Sequence, residues 1–443
     1  MIQTGKKPIT LMTLLAILSI SLVVNLPGLA VTPMLGNLSK VFPESTQLEK
    51  QMLTVLPNLL IIPFVLLSGK LSLTRHKIAI VVTGLVIFTA CAIGYLFANS
   101  MMMLIIYSCI LGCGAGLLVP LSSGLIADTF VGKYRMAKMG IKSGISNSSL
   151  VVATFIVGWL SHGNWHLPFI VYLVALIPLV LTFWLRGIED EISPATPKPA
   201  ATQPSGAVAT QPSGAVATAP VSVATPPSSQ AEDVSPYNAA DNKVVGGFYI
   251  NRIWGLMGVY AFITFATIAI TYYCPFLIEK KDWSSSLTGT VTALFFLFML
   301  IPGYSLPWFV KILRKNTFIY CGVMMAVGLA LFAFVPEAWA MCIGASLAGL
   351  GYGICQPVIY DKASHAVTSE NKATLSLAFV LSANYTAIVL TPFIIDGLRA
   401  LFHIHTSGTF AFLACFVLLV AYTIVSVVLR KRFAFSISKD YYS

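Results

Sequence analysis

The sequence predicts an all-α polytopic membrane protein with two similar halves, and three observations support this prediction. First, 57% of the 443 residues are hydrophobic and only 10% are charged, whereas about 25% of the residues of a soluble domain are charged. Second, the apolar residues form long runs, and a transmembrane helix needs about 20 such residues. Third, a glycine phrase occurs twice inside apolar runs, as GCGAGLLVP at 112–120 and GLGYGICQP at 349–357. A surface with so few charges must face lipid over most of its area.

Twelve apolar segments are predicted to cross the membrane as helices. The first six cover residues 9–34, 49–69, 77–98, 101–127, 137–160 and 167–186. The second six cover residues 252–278, 286–310, 316–335, 338–360, 373–395 and 408–430. We therefore expect an N-terminal six-helix bundle over 1–190 and a C-terminal six-helix bundle over 246–443.

The segment between the two bundles, 191–245, has a different composition. It contains the octapeptide ATQPSGAV twice in tandem, at 201–208 and 209–216, followed by PVSVATPPSSQ. A stretch rich in Pro, Ala, Ser and Thr cannot bury enough apolar surface to fold by itself. We predict that it is a disordered cytoplasmic linker.

The basic residues predict the orientation of the chain, because cytoplasmic loops carry an excess of Lys and Arg. With the N-terminus inside, all but five of the 27 Lys and Arg residues lie on the cytoplasmic side. The five exceptions are Lys40, Lys50, Lys280, Lys281 and Arg399. Both termini are therefore predicted to be cytoplasmic. An uncleaved first helix and the helix count indicate the inner membrane of a bacterium.

Several classes of function are excluded by the sequence. The net charge of +11 is distributed in short clusters rather than along a basic stripe, so no nucleic-acid partner is predicted. The eight cysteines form no C-x-x-C pair, and no acidic set completes the histidine pairs 162/166 and 403/405, so neither a metal nor another cofactor is expected. The chain has no G-x-x-x-x-G-K-[ST] loop and no intramembrane acid–base set. These absences argue against an ATP-driven pump and against an enzyme.

The repeated phrase indicates a duplication of six helices. Gly112 and Gly349 are 237 residues apart, and the same offset places Asn147 on Asn384. Within each phrase, two glycines at i and i+4 share one helix face and admit a close neighbour, and a proline follows one turn later and is expected to bend the helix. These residues are Gly112, Gly116 and Pro120 in the first copy and Gly349, Gly353 and Pro357 in the second.

Two six-helix halves joined by a cytoplasmic linker resemble the major facilitator superfamily, and two phrases are similar to its drug:proton antiporter branch. Residues 69–77 read GKLSLTRHK, similar to the family's G-x-L-S-D-R-x-G-R-K, and NWHLPF at 164–169 is similar to W-R-x-x-F. The chain departs from the family pattern at Leu73, where the family has Asp, and at Ser108, where it has Arg. The resemblance implies a substrate site between the halves and alternating access by rocking.

The residues expected to take part in these conformational changes are the repeated glycines and prolines, two residues of the first family phrase, and two carboxylates near helix ends. They are Gly69, Arg75, Gly112, Gly116, Pro120, Asp128, Gly349, Gly353, Pro357 and Asp361.

The residues expected to bind substrate are mostly amides inside the apolar segments, which need partners within the protein or a wet cavity. They are Asn25, Asn58, Lys142, Asn147, Tyr272, Gln356, Asn384 and Tyr385. An ionisable side chain at such a depth is a functional hypothesis by default. Lys142 could contact an anionic substrate, pair with Asp361, or snorkel to the lipid headgroups.

The function predicted from these observations is secondary active transport of small organic molecules, with efflux of amphipathic or drug-like compounds as the first hypothesis. Proton exchange and a monomeric state are implied by the family resemblance, since no carboxylate is predicted at the middle of a helix. Uptake of a small, possibly anionic, metabolite is the alternative within transport. A transporter-like membrane sensor is the alternative from another class.

Overall fold

The computed structural model describes residues 3–5, 9–28, 30, 38, 41–44, 47–73, 76–160, 165–188, 243–281, 283, 285–335, 337–403 and 409–437. We refer to the described residues 3–188 as the first half and to the described residues 243–437 as the second half. Most of the predicted linker, 191–242, and Arg75 lie outside the described residues. The predicted domain boundaries and the role of Arg75 therefore stay predictions.

The described part of the first half is helical. Its helices are α1 (Leu11–Ser19), continued by a 3₁₀ turn at Ile20–Leu22, then α2 (Gln47–Leu71), α3 (Lys77–Leu96), α4 (Met101–Thr129), α5 (Gly132–Leu160) and α6 (Leu176–Leu181). Two 3₁₀ segments, Leu167–Ala175 and Thr182–Ile188, flank α6 and extend it at both ends.

The second half begins with a small antiparallel hairpin, β1 (Val244–Val245) and β2 (Phe248–Tyr249). Its helices are α7 (Ile250–Lys280), α8 (Ser285–Leu313), α9 (Thr317–Phe334), α10 (Ala338–Ser364), α11 (Ala373–Leu401) and α12 (Phe410–Val428). Short 3₁₀ turns at Arg314–Asn316 and Glu370–Lys372 precede α9 and α11.

Ten stretches of the described chain are long and apolar enough to cross a membrane. One of them, Leu287–Phe334, contains both α8 and α9, and Leu11–Leu22 is a further apolar helix of shorter length. Every predicted segment from residue 49 onward overlaps one of the ten stretches. The prediction of an all-helical, multi-spanning protein is confirmed, while the count of twelve crossings stays a prediction.

Many of the outward-facing side chains of these helices are large and apolar. Phe155 is 78% exposed, Val428 72% and Phe97 71%, although all three are large hydrophobic residues. An exposed apolar surface of this kind would be unfavourable in water and is suited to contact with lipid chains.

The first helix differs from its prediction, because the predicted span 9–34 is interrupted. Regular helix ends at Leu22, and the chain continues through turns at Asn25 and Pro27. Gly28 then takes a positive φ of 76°, and a Cβ there would lie 2.5 Å from the carbonyl oxygen of Thr54. Proline supplies no backbone donor and only glycine fits this close approach, so the helix cannot continue through this point.

The repeated glycines have equivalent packing roles in the two halves. A Cβ on Gly112 of α4 would lie 2.6 Å from the carbonyl oxygen of Pro57 in α2, and a Cβ on Gly353 of α10 would lie 2.5 Å from that of Met299 in α8. Gly116 and Gly349 make the same type of backbone contact. The phrase therefore serves close packing of the fourth helix on the second helix of each half.

The repeated prolines do not interrupt their helices. Both α4 and α10 continue through Pro120 and Pro357 as single helices. Non-helical backbone occurs instead in α8 at Ser305 (φ −115°, ψ 21°), between Pro302 and Pro307. Two prolines this close remove two backbone donors, which accounts for the irregularity.

The described terminal segments lie on one face of the molecule. The amide of Val131, in the α4–α5 turn, donates to the carbonyl of Thr4 at 3.1 Å. Lys362 at the end of α10 donates to the carbonyl of Ser436. We call the face formed by the α4–α5 turn and the end of α10 the terminal face.

The two halves contact each other closely near the terminal face. A Cβ on Gly140 of α5 would lie 2.7 Å from the carbonyl oxygen of Gly303 in α8, and Gly303 in turn lies against the backbone of Gly144. At the end of α2, Gly69 lies against Ala378 of α11. Small residues let the helix backbones approach without intervening side chains, so the halves are closed against each other on this side.

We predict that Gly353→Val lowers the free energy of unfolding by about 1–3 kcal/mol, because the added methyl groups would overlap the backbone of α8. Thermal unfolding of the detergent-solubilised protein measures the change. The matched control is Gly258→Val in α7, where a Cβ would meet nothing within 4 Å. Equal melting temperatures for the two variants would contradict the packing role.

Candidate substrate site

A cavity of about 70 Å³ lies between the two halves. This volume holds a few water molecules, and known drug-sized ligand sites measure about 300–1,000 Å³. None of its lining residues carries a charge. The lining residues are Val24, Asn25, Pro27, Asn58, Leu150, Thr264, Thr267, Ile268, Phe295, Phe296, Met299, Tyr352, Gln356, Asn384, Tyr385 and Ile388.

The interrupted part of α1 forms one wall of this cavity. Asn25 donates from Nδ2 to Oδ1 of Asn147 in α5 at 3.0 Å. Asn147 is fully buried, and its own Nδ2 has no hydrogen-bond partner among the described residues. Asn58 in α2 completes this polar wall and donates to the carbonyl of Thr54 at 2.9 Å.

Two serines of α5 support the end of α1. Ser146 Oγ donates to the carbonyl of Ser21 at 2.9 Å, and Ser149 Oγ donates to the carbonyl of Leu22 at 2.6 Å. The last carbonyls of a helix have no partner within the helix. In a lipid environment such groups must be satisfied by the protein itself, so the serines stabilise the interruption that exposes Asn25 to the cavity.

The opposite wall is built by a hydroxyl–amide cluster of the second half. Thr264 of α7 donates to Oδ1 of Asn384 in α11 at 2.6 Å, and the Tyr352 hydroxyl of α10 donates to the same oxygen at 3.3 Å. Asn384 is thereby held with its amide carbonyl against α7 and α10. Asn384 is itself one of the lining residues of the cavity.

Gln356 joins the two halves at the edge of the cavity nearer the terminal face. Its Oε1 accepts a hydrogen bond from Ser143 of α5 at 2.6 Å. Its Nε2 donates to the hydroxyls of Tyr260 and Tyr360 at 3.1 and 3.0 Å. A single buried amide therefore connects α5 of the first half with α7 and α10 of the second.

Lys142 lies next to this connection, on the side of the terminal face. Its side chain is 1% exposed, and Nζ lies 4.5 Å from the ring centroid of Tyr360. It makes neither a hydrogen bond nor an ion pair with any residue in the described part of the chain. Of the three alternatives raised by the sequence, snorkelling and pairing with Asp361 are therefore wrong.

The structure brings most of the predicted substrate residues together. Five of them line the cavity, namely Asn25, Asn58, Gln356, Asn384 and Tyr385. Asn147 and Lys142 lie one layer behind the lining. Tyr272 is half-buried and is not among the lining residues. Whether these side chains bind substrate stays a prediction.

Sequence reasoning did not select the side-chain hydroxyls of Thr264, Tyr352 and Tyr360, which surround the predicted residues Gln356 and Asn384. Tyr352, Gln356 and Tyr360 are spaced by four residues, which places them on one face of α10. Tyr260 and Thr264 have the same spacing on α7. Polar side chains spaced four residues apart within an apolar segment could therefore have predicted this wall of the cavity.

The carboxylates predicted to act in gating lie near the terminal face. Asp128 forms a 2.8 Å ion pair with Lys77, and both side chains are buried. This pair links the end of α4 to the start of α3 within the first half. His365 Nδ1 donates to the backbone carbonyl of Asp361 at 2.9 Å and lies 3.7 Å from the Asp361 carboxylate.

Arg135 connects the halves across the terminal face, although the sequence did not single it out. Its Nη1 donates to Ser364 Oγ at 3.2 Å and lies 3.3 Å from Nε2 of His365. Its Nη2 lies 3.9 Å from the carboxylate of Glu370, and its Nε donates to the carbonyl of Phe130 at 2.7 Å. These contacts add a polar closure to the glycine contacts described above.

We expect Ser149→Ala to lower the free energy of unfolding by about 1–3 kcal/mol, since it leaves the partly buried carbonyl of Leu22 without its donor at the interrupted end of α1. Thermal unfolding in detergent tests this expectation. The control is Ser346→Ala, which removes a hydroxyl that donates within its own helix to Cys342 at 2.8 Å. A Ser149→Ala protein as stable as the control would show that α1 does not depend on this support.

Comparisons with known proteins agree with this architecture. The Multidrug transporter protein MdtP of Bacillus subtilis (strain 168) is 32% identical over 124 residues, which is 28% of this chain and 23% of that protein. The match thus spans about a quarter of the relative's length.

Two solved structures share the fold. The human organic anion transporter MFSD10 (TETRAN) has a TM-score of 0.64 at 12% identity, with 94% of this chain and all of that chain covered. The proton:xylose symporter XylE, bound to 6-bromo-6-deoxy-D-glucose, has a TM-score of 0.64 at 14% identity, with 94% of this chain and 95% of that chain covered. The sequence profile of the Major Facilitator Superfamily matches residues 9–392. The chain therefore belongs to the Major Facilitator Superfamily of membrane transporters.

Proposed function

We propose that the chain moves a small organic molecule through the central cavity by alternating access, as a monomer of twelve transmembrane helices. The observation that carries this proposal is the position of the cavity. Polar side chains from both halves line it, while glycine contacts and Arg135 close the halves on one side of it. Separation of the halves on the terminal face, with closure on the other face, would present the same residues to the opposite solution.

We further propose that the terminal face is cytoplasmic, so that the described conformation is closed toward the cytoplasm in the inner membrane of a bacterium. The α4–α5 turn and the start of α5 carry Lys133, Arg135 and Lys138. The α8–α9 junction carries Lys311, Arg314 and Lys315. Basic residues concentrated at the ends of membrane helices support this orientation.

Efflux of amphipathic compounds in exchange for protons is the transport mode that we propose first. The partial likeness to a multidrug transporter supports efflux. No carboxylate lines the cavity, so the proton would bind elsewhere. Asp128 and Asp361, buried near the terminal face, are the first candidates for this role.

Everted vesicles that contain the protein, acidified inside, test this mode. We expect amphipathic compounds to enter the vesicles while protons leave, so that a fluorescent pH indicator inside reports alkalinisation. Vesicles without the protein provide the control. Compound uptake without proton movement would contradict exchange, and the absence of any flux would contradict transport.

A disulfide across the terminal face should stop transport reversibly. Gly69 and Ala378 lie in contact across the two halves. A Cβ on residue 69 would be closer to that of Ala378 than the roughly 3.8 Å of a disulfide. The helices α2 and α11 must therefore move apart slightly before Gly69→Cys and Ala378→Cys can bond, and the bond then holds the two helices together. We expect flux to fall to background after oxidation and to return after reduction. The Gly69→Cys single variant, treated in the same way, controls for the native cysteines. Undiminished flux in the oxidised double variant would contradict alternating access at this face.

A further inference from the structure

We infer that the transported molecule carries a negative charge and that the ammonium group of Lys142 is its counter-charge. This inference rests on the proposed transport function and specifies its substrate class. It depends on where Lys142 lies, on what surrounds it, and on what happens to those surroundings when the halves separate.

Lys142 differs from the other buried cations in the described part of the chain. Lys77 pairs with Asp128 at 2.8 Å, Lys362 donates to a backbone carbonyl, and Arg135 has four oxygen or nitrogen partners. The ammonium group of Lys142 lies over the ring of Tyr360, and it has no hydrogen-bond or ion-pair partner among the described residues. Buried charges are normally paired or hydrogen-bonded because an unpaired one is costly. An unpaired ammonium group inside the membrane therefore points to a ligand of opposite charge.

The location of Lys142 matches the path of a substrate. It lies on α5 about 15 Å from the helix start at Gly132, at 1.5 Å per residue. The cavity residue Leu150 lies further along the same helix. Lys142 is therefore between the cavity and the terminal face, inside the membrane-spanning part of the chain.

The contact of the Lys142 ammonium group with Tyr360 crosses between the halves, as does the hydrogen bond of the adjacent residue. Tyr360, which covers the ammonium group, belongs to α10. Ser143, the neighbour of Lys142, donates to Gln356 of the same helix. When the halves separate on the terminal face, α10 moves away from α5, so Lys142 loses the ring and faces the space between the halves. An anion that enters this space would replace the ring as the partner of the ammonium group.

The rest of the site suits an anion with an apolar body. Phe295, Phe296 and Met299 provide an apolar surface, and Asn25 and Asn384 provide amide groups. A cationic substrate would find no carboxylate among the lining residues. Lys142 would also repel it along the path from the terminal face. An organic anion with an aromatic or aliphatic body is therefore the favoured class.

Ligand-induced thermal stabilisation of the full-length protein in detergent tests this inference without requiring transport. The probes are benzoate, 2-naphthoate and fluorescein. Benzoate and 2-naphthoate are each compared with the neutral amide or methyl ester, and fluorescein, whose ester would keep a phenolate charge, is compared with its cationic relative rhodamine 123. We expect at least one acid to raise the melting temperature more than its neutral counterpart does. Loss of a charge-assisted contact in Lys142→Met should weaken that acid's apparent affinity by about tenfold or more.

Lys142→Arg keeps the positive charge and should retain most of the stabilisation by the same acid. If Lys142→Met fails to fold, the comparison of acids with neutral counterparts on the wild-type protein still decides the charge preference. Neutral or cationic probes that bind as well as the acids would overturn the inference, as would acids that bind Lys142→Met with unchanged affinity or stabilise neither protein. Acid binding without flux in vesicles would instead refute the proposed transport function and leave the binding site in place.

Discussion

The pairing of backbone polar groups in a membrane is the constraint on which this structure depends. Lipid offers no hydrogen bonds, so each amide and carbonyl in a membrane-spanning segment needs a partner in the protein. Long continuous helices meet this requirement along most of the chain. The end of α1 does not, and the hydroxyls of Ser146 and Ser149 compensate for it. This support from α5 permits irregular backbone beside the cavity, and the irregular backbone in turn places Asn25 in the cavity wall.

The features that the sequence predicted well are those with a strong one-dimensional signature. Apolar segments of helical length agree with the helices from α2 to α12, and the family resemblance is confirmed by the profile match over 9–392. The repeated glycines pack as expected because a glycine pair on one face has few other uses within an apolar helix. Five of the eight proposed substrate residues line one cavity, since amides buried in lipid-facing segments must turn toward the protein interior.

The features that the sequence did not predict depend on contacts between distant segments. The interruption of α1 needs Gly28 against Thr54, which no local pattern specifies. In the sequence Arg135 looks like an ordinary basic residue near a helix end. Its role comes from its contacts with Ser364 and Glu370 of the other half, which the sequence does not show. The backbone of α8 shows the same limit, because it departs from helical geometry at Ser305, in a segment to which the sequence drew no attention.

The interrupted α1 has no counterpart in its repeat-related helix, since α7 is continuous from Ile250 to Lys280. The two halves therefore resemble each other without being interchangeable. The fourth helices share the glycine contacts against a neighbouring backbone, but α10 also carries Tyr352 and Gln356 of the cavity wall, for which α4 has no equivalent. The first and seventh helices differ as well, because α1 requires the serines of α5 whereas α7 offers Thr264 to the amide of Asn384. The two halves thus differ most where the cavity is formed, whereas the glycine packing of the fourth helix on the second is the same in each half.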